Sequence, residues 1–326
     1  MKPPVNAGRP LGMAPALETG ARRPWSRRLW SGMRRNPVLA LGLAGVSLVF
    51  LAVLFPAQLA PYDPLAKGSV LQMIDGRWMA PPFPPGGPYL LGTDIQARDL
   101  LSRLIYGTRP TLLLALVVTV VRVALGATLG WAAAQFPGEI RRNVLLLASM
   151  SATLPSLLFA YLVIATIGPH RGLPVFIIGL GLTGWASWTQ LIYSGVLRIQ
   201  GEPYMEAAEV IGSTIRSKLR YYLVPNLAPI VIPAVAQELA AALLIVAELG
   251  FLGIYLGSPR PITLADLLGG QQPQLSLPEW GGMLAGTRLE IFRWYWLTIM
   301  PAAAFMLTIF GFNLLADGLR RQLEQP

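Results

Sequence analysis

Three ionisable side chains fall inside long apolar runs of this 326-residue chain: Arg122, Glu238 and Glu248. A charge at mid-bilayer costs on the order of 2.5–3.5 kcal/mol on insertion scales, so each must face protein or water. Arg122 and Glu238 each stand about eleven residues into their runs, close to the middle at about 1.5 Å per residue. Matched depth and opposite sign predict that they pair or together line a translocation cavity. Glu248 lies nearer the end of its run, where water reaches it. Such groups can hold a structure together or pass a solute; nothing near them breaks bonds. The chain has no cysteine and one histidine, His170, which rules out thiolate nucleophiles and multi-histidine metal sites. It has no GxxxxGK[ST] loop to cradle nucleotide phosphates, no GxSxG elbow and no HExxH pair. No cofactor and no catalytic residue are expected.

The elements that carry these groups are set by composition. Hydrophobic residues make up 54% of the chain and charged residues 13%, against about 25% charged in a soluble domain. Too little polar surface remains to cover a globule in water, and lipid is the solvent that tolerates it. Six runs are long enough to cross a bilayer: Val38–Phe55, Thr111–Ala134, Asn143–Ile167, Leu173–Gly195, Leu227–Leu256 and Trp294–Leu315. The first is too long, and its preceding tail too extended, for a cleaved signal peptide, so it reads as a retained span. Residues 1–37 form a basic tail, 38–55 the first crossing, 56–110 a linker ending in an amphipathic helix, 111–316 a five-helix core and 317–326 a second tail. The linker contains Pro81, Pro82, Pro84, Pro85 and Pro88, which predict extended chain without a packed domain; residues 257–293 also look irregular.

An even number of crossings places both termini on one side. The tails and the 135–142 and 196–226 loops hold sixteen Lys and Arg residues, and the opposite side nine. The basic side is therefore expected to be cytoplasmic. The net charge of +10 is accounted for by this bias and does not point to nucleic acid.

Within the 196–226 loop, Glu206 to Asn226 reads as a short helix, a turn at Gly212 and a second basic helix stopped by Pro225. Glu206, Ala207 and Ala208 favour helix, and Gly212 permits the positive φ that redirects the chain. Ile215, Leu219 and Tyr222 share one face, with Arg216, Lys218 and Arg220 largely off it. Such a segment suits a protein groove, a membrane surface or an ordinary basic loop. On the expected outer side, Thr93 with Gln96 reads as a capping box, Asp94–Arg98 and Asp99–Arg103 as i,i+4 pairs, Leu100, Leu101, Leu104 and Ile105 as a buried side, and Gly107 as the helix end. Gly126, Gly130 and Ala134 form a small-residue stripe for helix packing. Trp185, Trp188, Trp294 and Trp296 are expected as interfacial anchors.

The 206–226 segment resembles the EAA loop of binding-protein-dependent ABC importer permeases: Glu206, Ala207, Ala208, Gly212 and Pro225 stand at the motif's spacing. Tyr222 replaces a frequent His and Val224 a frequent Leu. Tyr89 to Leu112 is similar to the stretch before the second span in dipeptide, oligopeptide and nickel importer permeases of the C type, with Ala97 in place of a usual Gly. Gly250 to Gly257, Pro278 to Leu284 and Phe312 to Glu324 extend the similarity, with Ala316 replacing Gly. The usual Glu of the fifth span falls at Val246, so no family role passes to Glu248.

The resemblance implies an all-α, six-span permease subunit of the type I importer fold in the prokaryotic inner membrane, without an ATPase site of its own. It implies a homologous second permease, two cytoplasmic ATP-binding subunits and an extracytoplasmic substrate-binding protein as partners. It also implies that Glu206, Ala207, Ala208, Gly212, Pro225 and Asn226 lie on the helix that docks on the ATPase. The Asp94, Arg98, Asp99 and Arg103 segment would meet the second permease or the binding protein, or serve only as an interfacial helix. Cargo would be a di- or oligopeptide, nickel or another small solute. An ion-coupled secondary transporter is the alternative; it predicts inverted repeats and helices broken at mid-span, neither of which is evident in the sequence.

Overall fold

The computed structural model describes residues 36–69, 71–74, 76–257, 278–285, 287 and 291–323. The basic tail before residue 36 and most of the segment between the fifth and sixth spans lie outside them. Helix α1 (Pro37–Leu54) opens with Asn36, whose side chain accepts from the Leu39 N–H and donates to the Gly318 carbonyl. A short α2 (Pro56–Leu59) follows, then a two-stranded antiparallel hairpin of β1 (Gln72–Ile74) and β2 (Arg77–Met79). Helix α3 (Leu100–Gln135) is a 36-residue span. The runs expected as the third and fourth crossings are each a bent pair of helices: α4 (Glu139–Thr153) and α5 (Ser156–Ile167) meet at 90°, and α6 (Leu173–Gly181) and α7 (Trp185–Gln200) at 50°. After α8 (Pro203–Val210), a turn of α9 (Ile215–Ser217) passes through a π-helical stretch, Lys218–Leu223, into α10 (Val224–Phe251). A short α11 (Trp280–Ala285) precedes α12 (Tyr295–Leu323). Among the described residues four helices are long and apolar enough to cross a membrane, and up to six crossings result if each bent pair is one span.

The largest apolar core joins α3, α5, α6, α10, α11 and α12, with Leu114, Val118, Ile164, Leu180, Leu243 and Leu297 essentially closed to solvent. Helix α12 lies along α1 and α10, and α3 along α7. The α3–α7 approach is the small-residue stripe at work. A Cβ on Gly126 would meet the Trp188 Cβ at 2.3 Å, and one on Gly130 the Thr189 carbonyl oxygen at 2.5 Å. Gly126, Gly130 and Ala134 are all buried.

Several expectations are corrected. Residues 89–99 are turns, not helix, and α3 runs uninterrupted from Leu100 into the second crossing. No capping box forms: the Thr93 hydroxyl accepts from the Phe83 N–H, and Asp99 caps the helix by accepting from the Ser102 N–H at 2.7 Å. Asp99 therefore does not pair with Arg103, which reaches Asp94 at 3.4 Å and the Pro64 carbonyl. Gly107 does not end the helix; it lies inside α3 as a notch filled by the Trp280 indole. Of the expected buried side, Leu100 and Leu104 are buried, while Leu101 and Ile105 are half-buried. The Pro-rich linker contains the hairpin and a buried Phe83, so it is not uniformly extended. Pro225 stops nothing: the helix passes from Ile215 to Phe251, with Pro225 in the first turn after the π-helical stretch, where a proline is tolerated. Trp188 and Trp296 are buried within the chain, not interfacial anchors.

Candidate functional site

Two constellations stand out, one at the 201–223 elbow and one midway along the bundle. At the elbow, Pro203 occupies the first turn of α8, where its missing N–H costs nothing, and Glu206 sits where the helix dipole favours an anion. The helix ends in a Schellman motif. The Gly212 N–H donates to the Glu209 carbonyl at 2.9 Å and the Ser213 N–H to the Ala208 carbonyl at 3.0 Å, with Gly212 at φ +70. The Thr214 hydroxyl then caps the next turn by accepting from the Ser217 N–H. Lys218 pairs with Glu209 across the turn at 2.8 Å, and the Tyr204 and Tyr222 rings stack with centroids 6.0 Å apart. Val224 donates to the Leu219 carbonyl in the π register, and the Asn226 amide donates to the Tyr222 carbonyl at 2.7 Å.

The elbow has two faces. Met205 and Leu223 are buried against Ile192, Val196 and Ile199 of α7 and Ala134 of α3, and Ala208 is buried too. Glu206, Ala207, Gly212 and Pro225 are exposed. Val210 is 88% exposed, Ile211 74% and Tyr221 67%. An apolar tip left uncovered on a braced turn is the anatomy of a protein-docking surface.

The second constellation brings Arg122 and Glu238 together. The Arg122 Nη1 donates to Glu238 Oε1 at 2.7 Å, its Nε to the Leu180 carbonyl at 2.9 Å, and its Nη2 to the Thr183 hydroxyl. The Trp188 indole N–H donates to Glu238 Oε2 at 2.9 Å. Leu180 and Thr183 flank the break between α6 and α7, where Gly184 takes φ +75 against the guanidinium. Arg122 is 1% exposed. Sequence reasoning found the ion pair and missed Trp188, Thr183 and Gly184. The Thr183–Gly184 dipeptide inside an apolar run is the signal that marks the break.

At the end of the bundle opposite the elbow, Arg98 pairs with Asp94 at 2.7 Å and Arg103 shares the same carboxylate. Tyr62 donates its N–H to the Ser102 hydroxyl, fastening the linker onto α3. Glu279 caps α11: its Oε2 accepts from the Gly282 N–H at 2.7 Å, while Oε1 is buried without a partner among the described residues. Burial pushes this carboxyl up to about 7, against the Gly282 and Gly281 N–H groups that pull it down. Among the described residues no group of three or more His, Cys, Asp or Glu side chains is placed to hold a metal. Glu248 is half-buried on α10.

Comparison with known proteins adds a family. Residues 126–325 match the model described as binding-protein-dependent transport system inner membrane component. A di/tripeptide transport system permease protein of Pseudomonas aeruginosa is 32% identical over 91% of both chains. A dipeptide transport system permease protein of Escherichia coli K12 is also 32% identical, over 91% of this chain and 92% of its own. A glutathione transport system permease protein of Pectobacterium atrosepticum is 27% identical over 94% and 93%.

Proposed function

The chain belongs to the family of binding-protein-dependent transport system inner membrane components, and from that premise we propose that its 201–223 elbow couples a separate ATPase to peptide import. The chain is an ABC importer permease subunit of the inner membrane, working with ATPase and substrate-binding partners; it is not an ion-coupled transporter. The breaks at 154–155 and 182–184, which the transporter alternative would predict, here belong to a permease fold. The cargo we assign is a di- or oligopeptide, in keeping with the relatives named for dipeptides, tripeptides and glutathione. The finer assembly we assign is one homologous permease beside this chain, two ATP-binding subunits and an extracytoplasmic binding protein. Both termini and the elbow lie in the cytoplasm, as the basic-residue bias supports.

The observation that carries this reading is the elbow: Glu206, Ala207, Ala208 and Gly212 fall on a braced turn whose apolar tip is uncovered, and Pro225 and Asn226 open the helix that leaves it. ATP-driven closure of the ATPases would push this tip, and α7 and α10 would carry the motion into the bundle. Gly212 tests it, since nothing lies within 4 Å of an added Cβ and only its positive φ is at stake. Gly212→Val is expected to abolish transport-linked ATP hydrolysis in the purified complex, while Gly212→Asn, which tolerates this conformation, retains most of it. Equal hydrolysis and uptake in Gly212→Val and wild type would refute the coupling role. The roles of Asp94, Arg98, Asp99 and Arg103 in this reading are to fix the linker on α3 beside the binding protein's approach.

A further inference from the structure

We infer that Arg122, Glu238 and Trp188 pin together the two arms that leave the elbow, so that α3, α7 and α10 move as one lever; the inference rests on the coupling role of the elbow. The arms are α7, which enters the elbow, and α10, which leaves it. Trp188 stands about 18 Å along α7 from Gln200, and Glu238 about 21 Å along α10 from Val224, at 1.5 Å per residue. Their hydrogen bond therefore closes a triangle whose base is the elbow and whose two long sides are nearly equal. The base is itself braced by the Lys218–Glu209 pair and the Tyr204–Tyr222 stack.

Between base and pin the arms touch through apolar side chains: Ile192, Val196 and Ile199 from α7, Leu227 and Val231 from α10. Apolar contact is non-directional and lets one helix slide past the other. Charge-assisted hydrogen bonds do not, because a displacement of an ångström or two breaks them in a dry interior. The register of the arms is thus held by the polar cluster. Arg122 extends the pin to α3 and to the carbonyl end of α6, which the break at 182–184 would otherwise free. All three guanidinium nitrogens and both carboxylate oxygens are engaged inside this one subunit. The pair is occupied with positioning helices, and cargo recognition falls to other side chains.

The chain has no cysteine, so cysteines placed at the exposed positions Ser187 and Ala241 carry the only spin labels on this subunit. The label separation is measured in the complete complex, nucleotide-free and trapped with ATP and vanadate. The native pin predicts one distance, constant between the two states to within on the order of 2 Å, the scale of helix shifts. Trp188→Phe, which removes only the indole N–H, and Glu238→Leu are each expected to make the distance change between states or split into two populations. Glu238→Gln, which keeps an acceptor for the indole, restores a single distance. A wild-type distance that changes by more than this between states, or variants that keep the single wild-type distance in both, overturns the pin. A label at Val210 separates this from the coupling reading. If it is immobilised by the ATPases, coupling stands whatever the arms do; if it is indifferent to them, both ideas fall.

Discussion

At the residue scale, two side chains carry measurable consequences of their surroundings. Ala97 adopts φ +59, a left-handed conformation that costs an L-residue with a Cβ about 1–2 kcal/mol. Ala97→Gly is expected to raise the melting temperature of the subunit by a few degrees, and an unchanged or lower value would mean that burial of the Ala97 methyl outweighs the strain. Glu279 makes stability depend on pH. Its carboxyl, buried and raised to about 7 from 4.5, stays protonated in the folded chain after the unfolded chain has lost its proton. Stability is therefore undiminished below about pH 4.5 and falls as pH rises toward 7. Above that the full penalty, on the order of 3 kcal/mol, is in place. Glu279→Gln is expected to flatten the melting temperature between about pH 5 and pH 8, followed by tryptophan fluorescence; a wild-type profile already flat over that range would contradict the assignment. The ion pair of Arg122 and Glu238 was readable from depth and sign alone. The third member, Trp188, was not, because which way an indole faces is decided by the approach of α3, not by its own neighbours in sequence.

At the scale of elements, six crossings and the turn at Gly212 were legible, since apolar length and a required positive φ are local properties. The expected separate helix before the second span was not correct. Gly107 read as a stop, yet α3 runs through it and through Pro110, with the Trp280 indole seated in the Gly107 notch and donating to the Leu104 carbonyl. Pro225 misled because it follows a π-helical stretch and falls in the first turn of the regular helix, where a proline is tolerated. The bend at 154–155 does have a local cause: Leu154, held extended at ψ 129, precedes Pro155. The small-residue stripe makes a sharp prediction. Gly126→Leu must drive α3 from α7 at Trp188, costing about 1–3 kcal/mol as overpacking does and pulling the indole from Glu238. A variant with native melting temperature and native tryptophan emission would show that the helices tolerate the gap.

At the scale of the whole molecule, the chain reads as a bundle with a braced elbow at one end, a fastened linker and the α11 cap at the other, and a polar pin between them. The family fixes what such a bundle is for; the sequence alone carried the motif but not the fusion of elbow and span into one helix. Everything functional depends on the elbow facing the cytoplasm and meeting the ATPase there. A single cysteine at Val210, in this otherwise cysteine-free chain, reports both through its reaction with a membrane-impermeant maleimide. The account predicts no labelling in intact cells, full labelling of inside-out vesicles stripped of the ATPases, and protection when the ATPases are restored. Labelling in intact cells, or equal labelling of the vesicles with and without the ATPases, would contradict it.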